Sequence, residues 1–222
     1  MEGIAEHLRR DTGVAIDIMP ADLTSSDDVS AIEAKLRHDT SIGVLINNAG
    51  AALSGAFETQ PTEAVAGLVA LNTTSLARLT SAIAPRLVAA GEGAIVNIGS
   101  VVGLAPEFGM SVYGATKAFV LFLSQSLALE LGPKGIYVQA VLPSATRTEI
   151  WSRSGMTDVD LSGMMDVGEM VDAALLGFDR RETVSIPPLE DETLWSAFDL
   201  ARLAMLPGFR QGQPASRYRI DV

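Results

Sequence analysis

Apolar and polar positions along this chain follow two periods that take turns. The runs Gly-Val-Leu-Ile at 43–46, Gly-Ala-Ile-Val-Asn-Ile at 93–98 and Ile-Tyr-Val-Gln-Ala-Val-Leu at 136–142 are short and almost wholly apolar. Such runs fit strands covered on both faces, as in a parallel sheet. Residues 14–19 are β-rich and predict a further strand, as does the shorter run at 183–186. Between these runs the spacing widens to that of helices, over about 2–10, 62–90, 113–131, 167–178 and 191–205. Another helix follows Thr24 and Ser25, either of which can cap it; Asp27 and Asp28 stand in its first turn, and Val29, Ile32 and Leu36 form its buried stripe. Asp11-Thr12-Gly13 stops the first helix, and Gly132-Pro133 stops the one from 113.

Strands that alternate with helices predict an α/β domain with a doubly wound, mostly parallel sheet. Ligands on such sheets bind at the carboxyl ends of the strands, where Asn47, Ser100 and Pro143 lie. The 222 residues suit a single domain over 1–222. About twenty residues after Pro143, to roughly 166, are rich in Ser, Gly, Met and Asp without clear period. A segment this long is uncommon in a compact domain unless it works as a lid. It reads as a substrate-covering flap at about 143–166 that includes Trp151, Met156, Met164 and Met165, with a surface insertion as the plainer alternative.

Composition narrows the picture by exclusion. Hydrophobic residues make up 48% and charged ones 19%, a globular balance. The first ten residues hold no apolar signal core, and no run of eighteen apolar residues occurs, so a cytoplasmic protein without a membrane span is expected. The net charge of −11 argues against nucleic acid and anionic membranes as partners. With no Cys there is no thiol chemistry, and His7 and His38 alone argue against a histidine-based metal site. Arg210, Arg217 and Arg219 near the end read as solvated charge rather than an anion site.

Candidate chemistry sits between Ser100 and Lys117. Tyr113 and Lys117, four apart, share one face of a helix. A lysine charge beside a phenol favours phenolate and draws its pKa down, which makes an acid/base. Ser100, at the end of a strand, can hold the oxygen of a carbonyl or alcohol. The plainer reading is a surface tyrosine whose ring covers a lysine stem. Asn72 stands inside an apolar helix, where an amide is costly unless it is bonded, so it serves chemistry or ties the helix to a neighbouring loop. The helix from 113 is apolar nearly all round, which predicts a second buried face against a partner subunit.

Together these residues closely resemble the short-chain dehydrogenase/reductase superfamily, whose Rossmann-like fold matches the predicted alternation. Asn47-Asn48-Ala49-Gly50 resembles its Asn-Asn-Ala-Gly motif, and Asn72, Ser100, Tyr113 and Lys117 follow the order and spacing of its catalytic tetrad. Asp22-Leu23 resembles the position that contacts adenine, and Pro143, Ser144, Thr146 and Thr148 resemble the Pro-Gly-x-x-x-Thr segment beside the nicotinamide, with Ser144 in place of the glycine.

The resemblance implies hydride exchange between a nicotinamide and a small-molecule carbonyl or alcohol, with NADP favoured over NAD by the look of residues 171–187. Tyr113 would move the proton, Lys117 would lower its pKa and bind the ribose, Ser100 would hold the substrate oxygen, and Asn72 would anchor a water. Asp22, Leu23, Asn48, Ala49, Gly50, Tyr113, Lys117, Pro143, Ser144, Thr146 and Thr148 would contact the cofactor. A homodimer or homotetramer through the Asn72 and Tyr113 helices is implied.

One departure stands against the family pattern. No Gly-x-x-x-Gly-x-Gly occurs near the N-terminus, and the resemblance places the family's first strand, glycine-rich turn, first helix and second strand ahead of Glu2. The absent turn is what offers backbone N–H groups to a pyrophosphate. Three readings follow: an N-terminally truncated form of a longer enzyme; a natural chain that repairs its sheet by moving 14–19 beside the Asn47 strand or by pairing with another subunit; or a catalytically inactive module that dimerises.

Overall fold

A computed structural model describes residues 1–154 and 160–219, with the side chains of Ser152 and Arg153 set aside. The part of the flap that contains Met156 lies outside the described residues. The chain divides into two units, Met1–Pro187 and Pro188–Val222.

The first unit is an α/β fold around a parallel sheet. Its strands β1 (Val44–Asn47), β2 (Gly93–Ile98), β3 (Ile136–Val141) and β4 (Val184–Ser185) pair in sequence order, every pair parallel. The helices are α1 (Glu2–Thr12), α2 (Ser26–His38), α3 (Thr62–Val69), α4 (Leu76–Ala90), α5 (Ser111–Leu131), the short α6 (Ile150–Arg153) and α7 (Val167–Asp179). β2 and β3 are buried along nearly their whole length, as their continuous apolar runs predict. Val29 and Leu36 of α2, Leu79, Ile83 and Leu87 of α4, and Leu131 of α5 join Ile95, Ile136 and Val138 of the sheet in one core.

Polar side chains cross that core as a bonded chain. The Asn47 amide donates to Thr80 Oγ1 (3.0 Å) and Asn97 Oδ1 (2.8 Å), and the Asn97 amide donates to Ser124 Oγ (2.9 Å). Since an unsatisfied buried amide costs about 1–3 kcal/mol, each partner fixes the other, and α4, β1, β2 and α5 are held in one register. Between α2 and α4, the carboxylate of Glu33 takes Arg78 (2.6 Å) and Arg37 (2.9 Å).

Two expectations change. Residues 14–19 form no strand: the segment is irregular and mostly exposed, and the Ile16 carbonyl accepts from the Arg9 guanidinium. β-propensity measures fit to a pleated, half-buried surface, and here no neighbouring strand supplies one. The segment therefore does not move beside the Asn47 strand. Among the described residues β1 is a sheet edge, and its Val44 and Ile46 face outward, 46% and 58% exposed. The helix predicted over 62–90 is not one regular helix either. α3 and α4 are joined by a π-helical turn, Ala70–Ser75, which contains Asn72.

The segment Ser111–Lys134 is long and apolar enough, by composition, to cross a bilayer, a pattern that core helices share. Here it packs against β3 and β2 and buries Thr116, Lys117 and Ser124. The second unit carries α8 (Glu192–Ala204), capped by the Asp191 carboxylate on the Thr193 amide, with Trp195 stacked on Phe198.

Candidate active site

Parallel pairing of β2 with β3 assembles the site. The ladder runs on past both strands: the Gly99 amide donates to the Val141 carbonyl (2.7 Å) and the Val101 amide to that of Pro143 (3.0 Å). Ser100 is thereby set against Pro143, and its Oγ lies 3.4 Å from the Pro143 carbonyl while accepting from the Val102 amide (3.2 Å). The turn Val101–Gly103 then crosses α5 at close range. A side chain on Gly103 would come within 2.7 Å of the Ala118 nitrogen and the Lys117 carbonyl carbon, and one on Gly114 within 3.1 Å of the Val102 carbonyl oxygen. These two glycines let the Ser100 turn lie directly on the helix that carries Tyr113.

Tyr113 and Lys117 share one face of α5, as their spacing predicts, and the Lys117 ammonium lies 5.7 Å from the centre of the Tyr113 ring. Tyr113 and Ser100 line the same cavity, and the Ser100 hydroxyl favours the phenolate of Tyr113. Lys117 is buried, and its ammonium donates to the Ile98 carbonyl (2.9 Å). The electrostatics differ from the expectation. Burial pushes the Tyr113 pKa up, with only the Ser100 hydroxyl opposing it, and burial brings Lys117 down to about 8. Desolvation dominates at both groups because both are withdrawn from water.

Around this polar end opens a cavity of about 450 Å³. Asn48, Gly50, Ser100, Tyr113, Lys117, Pro143, Ser144, Thr146 and Thr148 line it, and Val102, Phe108, Met110, Trp151 and Met170 give it apolar walls. Thr146 is tied in by a bridge to Met165 and by its hydroxyl on the Ser144 carbonyl (3.0 Å); its own carbonyl accepts from the Trp151 indole N–H (2.7 Å). Arg147 donates to the Met164 carbonyl and pairs with Asp166 (3.2 Å), so both ends of the flap's described part are fastened together.

The remaining candidates lie elsewhere. Ala49 is not part of the cavity wall, whereas Ala52 is. Asp22 and Leu23 stand in the turn before α2, away from the cavity; the Asp22 carboxylate takes the Thr24 amide and hydroxyl, and Leu23 packs on the core. Asn72 is buried behind the site, with its amide engaged by Ala51 and Thr116.

A nicotinamide nucleoside end fits this arrangement. Gly50 leaves an open cradle: a side chain there would approach Asn72 Oδ1 to 3.3 Å and Lys117 Nζ to 3.5 Å. Sequence reasoning missed Gly103, Gly114 and the π turn. A glycine inside the helix at 114 was the available signal, since it costs helix stability without a packing reason; a π turn leaves no trace in hydrophobic spacing.

Comparison with known proteins agrees with this geometry. A family model described as short chain dehydrogenase matches residues 1–158. Human 17-beta-hydroxysteroid dehydrogenase type 3 is 34% identical over 151 residues, which is 67% of this chain and 48% of that protein. The chain spans about half the length of the first curated relatives it matches. A short-chain dehydrogenase from Sphingobium yanoikuyae, solved in complex with NADPH, is 60% identical with a TM-score of 0.95, covering 98% of this chain and 85% of that one. A bulky-bulky ketone specific alcohol dehydrogenase from Comamonas testosteroni is 54% identical with a TM-score of 0.91, covering 99% and 84%.

Proposed function

The chain belongs to the short-chain dehydrogenase family, and from that premise we propose that it is an NAD(P)-dependent oxidoreductase interconverting a carbonyl compound and its alcohol. The observation that carries this reading is the Tyr113 phenol, which shares with Ser100 the polar end of an otherwise apolar cavity, with the buried Lys117 one helical turn away. NADP is preferred to NAD in this reading, supported by the NADPH bound to the Sphingobium yanoikuyae protein.

Ser100 and Tyr113 hold the substrate oxygen, and Tyr113 delivers a proton to it as the carbonyl is reduced. Lys117 places a positive charge beside that oxygen and the ribose hydroxyls. Asn48, Ala49, Gly50, Pro143, Ser144, Thr146 and Thr148 hold the nicotinamide end, and Asp22 and Leu23 take the adenine end. When bound, the reduced nicotinamide supplies the hydride. Apolar walls from Val102, Phe108, Met110, Trp151 and Met170 suit a ketone with two sizeable apolar substituents, in line with the name of the Comamonas testosteroni relative. The protein works in the cytoplasm as a homodimer or homotetramer joined through the helices that carry Asn72 and Tyr113.

A second reading, a non-catalytic self-associating module, is favoured by the exposure of Phe122 and Leu129 on α5, at 74% and 78%. Calorimetric titration with NADPH, and separately with NADH, decides between the two. Micromolar binding, followed by ketone-dependent loss of NADPH absorbance, is the result expected of the enzyme. No binding up to millimolar by a folded chain favours the module.

A further inference from the structure

We propose that Thr116 is a positioning residue for Tyr113, the link through which the loop that floors the cavity is locked to the turn that carries the phenol; this rests on the reading of Tyr113 as the proton donor. Thr116 is almost fully buried, and its hydroxyl has two partners. It donates to the Tyr113 carbonyl (2.7 Å) and accepts from the Asn72 amide (3.0 Å). Asn72 in turn grips the cavity loop at both backbone groups of Ala51: its Oδ1 accepts from the Ala51 N–H (3.0 Å) and its Nδ2 donates to the Ala51 carbonyl (2.9 Å). Ala51 follows Gly50, which lines the cavity. A continuous relay therefore runs from the cavity loop through Asn72 and Thr116 to the backbone of Tyr113.

A threonine hydroxyl on the carbonyl three residues earlier is ordinary in helices and by itself says nothing of function. Two features set this one apart. Tyr113 is the third residue of α5, and the helix begins at Met110 with no side-chain cap, so its first turn lacks the usual anchor of a helix start. The bond from Asn72 supplies an anchor from another element. Asn72 reaches Thr116 from the π turn Ala70–Ser75, whose extra residue changes where the amide points relative to a continuous α-helix. The local irregularity in one helix and the uncapped start of the other meet at Thr116.

The test isolates the hydroxyl. Thr116→Ala and Thr116→Ser both lose the methyl group, and only the second keeps the relay. A misplacement of about 1 Å in a reacting group costs up to roughly 10²-fold. Thr116→Ala is therefore expected to lower kcat by about 10- to 100-fold while the Kd for NADPH and the KM for a diaryl ketone stay within about threefold, and Thr116→Ser is expected to stay within about twofold of wild type in all three. A second readout does not depend on turnover: with 13Cζ-labelled tyrosine, the Tyr113 resonance, assigned with Tyr113→Phe, is expected to shift in Thr116→Ala and to hold its place in Thr116→Ser. Should Thr116→Ala fail to fold, Thr116→Val, which fills the site and lacks the hydroxyl, takes its place. Equal kcat in the alanine and serine variants, a loss confined to KM, or an unmoved Tyr113 resonance overturns the proposal. A wild-type chain that turns over no ketone, but whose Tyr113 resonance follows the Thr116 hydroxyl, retains the positioning role and discards the oxidoreductase reading.

Discussion

Burial keeps the phenol of Tyr113 protonated well into alkaline pH, since its pKa is raised from 10.0 and the Ser100 hydroxyl only partly opposes the shift. A protonated phenol is the form that donates in carbonyl reduction. Tyr113→Phe keeps the ring and removes the proton, and is expected to lower the rate of ketone reduction by about 10²- to 10⁴-fold with little change in NADPH affinity by calorimetry; normal turnover by this variant would remove Tyr113 from the proposed role. Lys117 gives a pH signature of its own. Its folded pKa of about 8 lies below the ordinary 10.5, so between those values the unfolded chain binds more protons and stability rises with pH. Below pH 8 the buried charge opposes folding in full. Urea denaturation should show Lys117→Met gaining stability relative to wild type at pH 7.5 and losing that gain by about pH 10.5; a pH-independent difference would mean that the charge is not desolvated in solution. Spacing alone made Tyr113, Lys117 and Ser100 legible, because four residues define a helix face and an apolar run defines a strand end. The direction of the Tyr113 shift was not legible, because desolvation depends on every element that closes over the ring.

Among elements, the most exacting contact is that of the Val101–Gly103 turn with α5. No side chain fits at Gly103 unless the turn moves off the backbone of Lys117 and Ala118, and moving it separates Ser100 from Tyr113. Gly103→Ala is expected to cost about 1–3 kcal/mol by denaturant titration, typical of overpacking, and to lower kcat more than KM. An unchanged midpoint together with an unchanged kcat would show that the turn has room. The strands β1, β2 and β3 and most helices were readable from apolar period, since each lies in a repeating environment. Residues 14–19 show the limit: their composition suits a strand, but a strand needs a neighbour, and neighbours are not written in a local window. The junction of α3 and α4 escaped for a similar reason, because an apolar stretch stays apolar through a π turn.

Over the whole molecule the exposed apolar side chains are unevenly spread. Phe119, Phe122 and Leu129 lie along one side of α5, 40%, 74% and 78% exposed. Packing against a second copy is the simplest way to cover that stripe. Phe122→Glu is expected to shift light scattering across a dilution series toward monomer while far-UV circular dichroism stays unchanged; the same mass as wild type at every concentration would place the interface elsewhere. The π turn Ala70–Ser75 has a consequence for how this sequence can vary in length. A residue advances an α-helix by about 100°, so a deletion in the regular part of α3 or α4 would rotate one side against the other by that angle, whereas deleting one position within the turn removes its extra residue and lets α3 and α4 merge into one regular helix with both faces nearly kept. The apolar stripe of α3 would then keep its direction, while Asn72 would leave Ala51 and Thr116. A library of one-codon deletions across 62–90 is therefore expected to recover folded, soluble chains at the turn and to lose them in the regular parts of α3 and α4; equal loss at every position would show that the turn does not absorb a residue.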